Sequence, residues 1–331
     1  MKKINLTFDM GDSHIKIAKR EKGKVVVHAV QMPENLIREG IVQVPHMVSD
    51  FLKDLRQQYK LPKGECGIVV PDELVVCRNL TLPAMTVDQL KVNLPFEFTD
   101  YISDEPQKYV YDYALKEMIY DEEGNPLEMN LTGAVMSKES VDIYVNMFRN
   151  AGFGLRTILP QEIAMTNVMR NAVESGRISA EKEYCIINLG HRTTQVFVFK
   201  GEMLSVLRNI HLGSGAIDKV IAEHETVDEF VARTYKNQNY KGVLEKDYVR
   251  EQYGRISLEI RKVINFYRYN NRTSELNDIY FVGGGSNLKG LCETIAENNE
   301  LNYKSMMDLL PPEVEDGIDL SGICAIGVML Q

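Results

Sequence analysis

Asp9, Gly11, Asp12, Ser13 and Lys16 crowd one short stretch near the head of this 331-residue chain, directly after an apolar run. A turn of small residues can lay backbone N–H groups against phosphate oxygens. Gly11 admits close approach and φ > 0, Asp12 suits the turn, and Ser13 adds a hydroxyl donor. Lys16 could neutralise phosphate charge. Asp9, at the strand end, could act as a metal ligand by orienting a water on Mg²⁺, an ion that keeps several of its waters. The pattern returns in the middle of the chain, where Asn188, Gly190, Thr193 and Thr194 follow the apolar Ile186-Ile187. Here an amide stands in the catalytic position; it can hold a water but cannot act as a general base. Gly213-Ser214-Gly215 adds a further small-residue turn. Gly283-Gly284-Gly285-Ser286 ends a third apolar strand and opens a helix, a geometry that suits an anion or an adenine-ribose edge. Each turn taken alone is an ordinary surface feature. In this order they imply two related half-domains holding one nucleotide.

Other chemistries lack their signatures. Neither glycine cluster has the dinucleotide-binding spacing, and no Gly-x-x-x-x-Gly-Lys occurs. The six histidines show no metal spacing, and no Gly-x-Ser-x-Gly marks a nucleophile. The five cysteines are scattered and odd in number, which fits a reducing cytoplasm rather than disulfides or zinc. A net charge of −9 argues against nucleic acid as the main partner. The basic Arg261-Lys262, Arg268 and Arg272 read as a solvated helix face. No apolar stretch approaches the roughly 20 residues of a bilayer span. The start, Met1-Lys2-Lys3, imitates a leader only until Asp9. Direct membrane insertion is therefore not expected.

With 44% hydrophobic and 26% charged residues, the chain can bury a sizeable core in two lobes. Strands are expected at 4–9, 15–20 and 24–31, then a helix over 48–59 and a strand at 67–70. Prolines and tyrosines mark an inserted α+β subdomain at about 71–130, with strands at 108–114 and 128–135 around Gly124-Asn125-Pro126. Ser137 caps a helix that Gly152 ends. The second lobe opens at 183–189, continues through a hairpin around Lys200-Gly201, and carries a helix from near Ala216. A long helix includes Val249 to Tyr267. A strand at 278–282, a helix at 288–298 and an apolar helical tail at 322–330 follow. The second lobe repeats the order of the first without residue-level repetition.

Together the segments resemble the phosphate-1, phosphate-2 and adenosine motifs of the actin, hexokinase and heat-shock chaperone superfamily. Asp9-x-Gly11 with Lys16 is similar to the first, Asn188-x-Gly190-x-x-Thr193 to the second with Asn for the usual Asp, and Val282-Gly283-Gly284-Gly285-Ser286 to the third. Within that superfamily the chain most resembles the PilM family of type IV pilus assembly proteins. The likeness rests on Val70-Pro71-Asp72-Glu73 through Arg78 to Leu82-Pro83, on Phe96-Glu97-Phe98-Thr99-Asp100-Tyr101-Ile102, on Ala151-Gly152-Phe153, and on Arg208-Asn209-Ile210 through Gly213-Ser214-Gly215. Glu259 and Lys262 lie on the helix that approaches the adenosine in this superfamily. Two departures stand out: Ser103-Asp104 replaces the family's Pro-Phe, and Ser214 replaces a glycine.

The resemblance implies an actin-like α/β fold with duplicated RNase H-like domains and subdomains 1A, 1C, 2A and 2B. Lobe 1 would span 1–182, with 1C at about 71–130 and residues 305–331 returning to 1A. Lobe 2 would span 183–304, with 2B at about 216–275. It implies ATP and Mg²⁺ as ligands, with hydrolysis weak or absent because of Asn188. It implies a cytoplasmic protein, held at the inner face of the membrane by the N-terminal cytoplasmic peptide of a PilN-like partner bound between 1A and 1C. Self-association is a further expectation. The competing readings are an FtsA-like cell-division actin homologue, a small-molecule kinase and a silent pseudo-ATPase scaffold. The FtsA-like reading expects an amphipathic tether after the fold, and the apolar tail here runs straight to Gln331. The kinase reading needs a substrate-side Asp, for which no residue stands out.

Overall fold

The structure, a computed structural model, describes residues 4–38, 40–315 and 317–331. Met1-Lys2-Lys3, the basic part of the leader-like start, therefore lies outside the described residues. Two compact units emerge: Met1–Pro33 with Glu162–Gln331, and Glu34–Gln161.

The first unit opens with β1 (Leu6–Met10), β2 (His14–Glu21) and β3 (Lys24–Gln31), an antiparallel meander. All five residues of β1 are buried, Asp9 included, and the register sets Asp9 opposite Lys16. Lys22 and Gly23, both at positive φ, make the tight turn whose twist matches two right-twisted strands.

The second unit runs through β4 (Ile37–Arg38), β5 (Ile41–Val42), α1 (Pro45–Gln58), β6 (Gly64–Val70), β7 (Val76–Pro83), α2 (Val87–Asn93), β8 (Tyr109–Tyr120), β9 (Pro126–Ser137), α3 (Lys138–Asn150) and β10 (Phe153–Pro160). β10 pairs parallel with β6, while β7, β9 and β8 form an antiparallel sheet in that order. One face of the sheet packs Leu80, Leu82, Met129, Leu131 and Val135 against Leu90, Leu94 and Phe98. β9 is longer at both ends than the sequence pattern predicts, and β8 runs on to Tyr120 at its C-terminal end. Ser137 caps α3 by accepting from the Ser140 amide at 3.1 Å.

The first unit resumes with α4 (Gln161–Glu174), β11 (Glu183–Leu189), β12 (Thr194–Lys200), β13 (Met203–Ile210), α5 (Gly215–Glu225), α6 (Glu229–Gln238), α7 (Asp247–Asn270), β14 (Asp278–Val282), α8 (Lys289–Asn298), β15 (Asn302–Tyr303) and α9 (Ile323–Met329). The sheet order is β13-β12-β11-β14-β15. β11, β12 and β13 repeat the antiparallel meander of β1, β2 and β3, which is the duplication expected from element order. β14 runs parallel to β11, so the two strands end side by side, with Asn188 opposite Val282. Helices α5, α7 and α8 bury Ile217, Ile221, Ile256, Ile260, Leu291 and Ile295 in one core with Ile187, Val196 and Phe281. Every residue of α9 is buried. Thr7 donates to the Ala325 carbonyl at 2.7 Å, and Asn167 on α4 donates to the Gly327 carbonyl at 3.1 Å. On α7, Arg268 is tied down rather than solvated, donating to the carbonyls of Asn299 and Leu276.

Two local expectations need correction. Gly11 does not adopt positive φ; its lack of a side chain instead leaves room beside the His14 carbonyl and Lys16 Nζ, each 3.1 Å from where a Cβ would stand. The triple glycine does not open the next helix directly. A 3₁₀ turn over Gly284–Asn287 intervenes, and α8 begins at Lys289.

Candidate functional site

The turns that follow β1, β11, β13 and β14 all belong to the first unit, and specific contacts draw them together. Asp12, at the tip after β1, meets Arg192, at the tip after β11: Nη1 lies 2.9 Å from Oδ2. Behind them Lys16 Nζ sits 3.4 Å from Oδ2 of Asp9, whose side chain is nearly buried. Ser13 Oγ lies 2.9 Å from Nδ1 of His14.

The turn after β11 closes on itself and on its neighbour. The Gly190 amide donates to the Thr193 carbonyl at 3.0 Å; the Ser214 and Gly215 amides donate to Gly190 and His191 carbonyls at 2.9 and 2.7 Å. Thr194 is fully buried, and its hydroxyl donates to the Leu212 carbonyl at 2.8 Å. A Cβ at Gly213 would stand 2.6 Å from the His191 carbonyl oxygen, and one at Gly190 the same distance from that of Thr193. At Gly283, where φ is +85°, it would meet Asn188 Oδ1 at 2.5 Å, and at Gly285 the Leu189 side chain at 2.8 Å. These glycines are needed because turn packs against turn. Gly284 differs: it is exposed, with open space where a side chain would be, so its backbone is the accessible part of the third segment. Ser286 folds back, donating to the Gly283 carbonyl at 2.7 Å.

Asn188 is held in a line of amides. Its Nδ2 donates to Gln195 Oε1 at 2.9 Å, and Gln195 Nε2 donates to Asn209 Oδ1 at 3.2 Å. Nothing in that line can take a proton at neutral pH. Glu259 and Lys262 pair with each other at 2.6 Å on the outer face of α7, a surface i, i+3 contact.

Beneath the Gly213–Gly215 turn lies a charged cluster that the sequence reading missed. Asp218 on α5 is fully buried and Lys236 on α6 nearly so, with Nζ 2.7 Å from Oδ1. Lys236 also donates to the Ser214 carbonyl at 3.3 Å. Arg233 reaches the other oxygen of Asp218 at 3.5 Å, and His191 Nδ1 lies 3.7 Å from that same oxygen. Only a one-turn spacing between Arg233 and Lys236 could have hinted at it, and such spacing is common on solvated helices.

Among the described residues no group of three or more His, Cys, Asp or Glu side chains gathers to hold a metal ion. No disulfide joins the five cysteines, and burial pushes the thiols of Cys66, Cys185 and Cys292 up to about 12, which leaves them inert as nucleophiles.

The type IV pilus assembly protein PilM family model matches residues 7–309. The chain belongs to the PilM family. No curated protein sequence matches it. Among solved structures it is similar to the PilM-PilN type IV pilus biogenesis complex, with a TM-score of 0.80 at 19% identity over 98% of this chain and 97% of that one. It also resembles ethanolamine utilization protein EutJ from Carboxydothermus hydrogenoformans: TM-score 0.60, 13% identity, 98% and 89% covered. MreB 5 of Spiroplasma citri bound to AMPPNP follows at 0.55 and 11%, with 99% and 95% covered. The PilM-family chain therefore has the actin-like fold.

Burial, then the nearby Arg233, lower the His191 pKa of this PilM-family chain from 6.5 to about 4. The unfolded chain thus binds a proton between those values that the folded chain refuses, so stability is complete above pH 6.5 and falls as pH drops towards 4. The loss is about 3 kcal/mol at most. His191→Gln is expected to flatten that part of the stability–pH curve in urea unfolding; a curve parallel to wild type would put the acid sensitivity elsewhere.

Proposed function

We propose that this PilM-family chain is a nucleotide-holding scaffold of a type IV pilus or related envelope machine. It captures the N-terminal cytoplasmic peptide of a PilN-like inner-membrane protein. The observation that carries the nucleotide half is the meeting of the turns, with the Asp12–Arg192 pair joining the first to the second. In this reading Ser13 and Thr193 present donors to phosphate, Gly11 and Gly190, whose amides are held by the His14 and Thr193 carbonyls, keep the turns bare enough for close approach, Lys16 adds charge, and Asp9 would orient a water on Mg²⁺. Gly284 and its neighbours, with Glu259 and Lys262, serve the adenosine side. Bound Mg-ATP supplies a charged, hydrolysable triphosphate. The amide of Asn188, committed to Gln195, provides no base for its hydrolysis, so the scaffold holds nucleotide better than it turns it over. That same amide favours the catalytically silent scaffold as the second reading.

Peptide capture is assigned to the second unit. Residues 71–130 contain 13 acidic and 4 basic side chains, which accounts for the whole chain's net charge of −9. Val92, Phe96 and Tyr101 stand exposed there among Asp88, Glu97 and Asp100. Apolar anchors in an acidic field suit a disordered segment with apolar and basic residues, which orders as it docks. Among the described residues no helix is long and apolar enough to cross a membrane, so the partner supplies the membrane attachment.

Mg-ATP at 100 times its Kd is expected to stabilise the chain by about 2.7 kcal/mol, read as a rise in Tm. Asp9→Ala should remove that rise. A wild-type Tm indifferent to millimolar Mg-ATP would sink the nucleotide reading. Deleting residues 71–130 should abolish retention on an immobilised PilN N-terminal peptide; undiminished retention would place capture elsewhere.

A further inference from the structure

The charges around the turns do not balance. Lys16 lies 3.4 Å from Asp9, Arg192 lies 2.9 Å from Asp12, and Lys236 lies 2.7 Å from Asp218. Each of these cations has a carboxylate of its own. Arg233 does not. Its Nε is 3.5 Å from an oxygen of Asp218, the carboxylate that Lys236 already neutralises. Its Nη2 lies 3.3 Å from Nε2 of His191, a ring held neutral. The Arg233 side chain is only 25% exposed. A guanidinium that has given up most of its water needs a full negative charge nearby, and half a share of one carboxylate is a poor substitute.

The direction of the surplus matters. His191 belongs to the turn after β11, so Arg233 addresses that turn from below. Its charge also reaches His14 in the first turn, where burial and then Lys16 hold the ring's pKa down, while Asp319 pulls the other way. Arg233 thus acts on both turns at once. The Lys236 charge acts on the same two rings more weakly, and its ammonium is committed to Asp218 and the Ser214 carbonyl. A guanidinium fork matches two phosphate oxygens, which a lysine point charge does not.

We propose that Arg233 is the site's anion contact, closing on a phosphoryl group held between the turns at Gly11 and Gly190. Lys236 is a positioning residue: by neutralising Asp218 it leaves Arg233 available. The inference rests on the nucleotide reading and specifies which end of the ligand is gripped and by what.

The test uses the full chain, magnesium tripolyphosphate and Mg-ATP as probes, and Arg233→Gln and Arg233→Lys as variants. Wild type should be stabilised by both probes. Arg233→Gln should lose the tripolyphosphate shift and bind Mg-ATP at least tenfold more weakly, while Arg233→Lys keeps part of both. Without ligand, Arg233→Gln should melt no lower than wild type, since a poorly compensated cation has been removed. Equal tripolyphosphate shifts in Arg233→Gln and wild type would overturn the inference and leave the nucleotide reading intact. A lower ligand-free melting temperature in Arg233→Gln would overturn it too, marking Arg233 as the structural partner of Asp218. Stabilisation of wild type by tripolyphosphate but not Mg-ATP would support the anion contact and remove the nucleotide. A wild type that answers to neither probe would remove both.

Discussion

Gly327→Val is expected to destabilise the chain by about 3 kcal/mol or more, or to prevent folding outright. Gly327 lies in α9, where every residue is buried, and any side chain there would be driven into the backbone carbonyl of Ala164 on α4. Backbone cannot rotate aside as the end of a side chain can. The collision would also pull away the Gly327 carbonyl that Asn167 donates to, leaving a buried amide unpaired. Gly254 is the control. It sits inside α7 with nothing within 4 Å of where a Cβ would stand. Gly254→Ala should gain about 0.5–1 kcal/mol by restricting the unfolded chain. Denaturant midpoints read both. A Gly327→Val chain as stable as wild type would mean that α9 does not pack on α4 as described.

Lys236→Met should cost about 3 kcal/mol. Asp218 is fully buried, and removing the cation 2.7 Å away leaves its carboxylate in a dry interior, the arrangement that makes broken buried pairs so damaging. Arg233, already 3.5 Å from the other oxygen, can take over part of the role, which puts the expectation at the low end of the usual 3–5 kcal/mol. Combining Lys236→Met with Asp218→Asn should recover at least half of the loss, since the stranded charge is gone. A double variant no more stable than Lys236→Met alone would show that the loss came from packing around the lysine stem. Burial lowers the Lys236 pKa, so the lysine itself is charged at some cost; the pair serves to place charge rather than to add stability.

The sequence made the turns legible because each needs residues with little freedom to vary chemically: Gly213 and Gly283 stand where a side chain would strike the segment at the end of β11, and Gly190 where it would strike the Thr193 carbonyl of its own turn. The meander β11–β13 and the amphipathic α7 were legible through their hydrophobic periods. The reason for the glycines was not legible. Small residues were read as a bed for phosphate, whereas most of them let one turn pack on the next. Lengths at the ends of β8 and β9 were missed because exposed residues such as Leu115 and Leu127 break the alternation that marks a strand. β10 and α4 gave no reading because β10 does not keep a regular in–out alternation and α4 follows it with no loop between. The Asp218–Lys236–Arg233 cluster was invisible for a deeper reason. Its members are split between α5, which carries Asp218, and α6, which carries Arg233 and Lys236, and the same three residue types on a free helix would be solvated. Their meaning comes from burial, which is a tertiary fact.

The hydrogen bond from Thr7 to the Ala325 carbonyl joins residues 318 positions apart. Closing a flexible loop of that length costs about 5 kcal/mol of chain entropy by the (3/2)RT ln n rule, and each halving of the loop returns only about 0.6. The insertion of a whole unit between β3 and the rest of the first unit is therefore thermodynamically mild. Its burden falls on speed: contacts this remote in the chain form late, and the topology belongs with slow folders rather than with helical bundles of the same size.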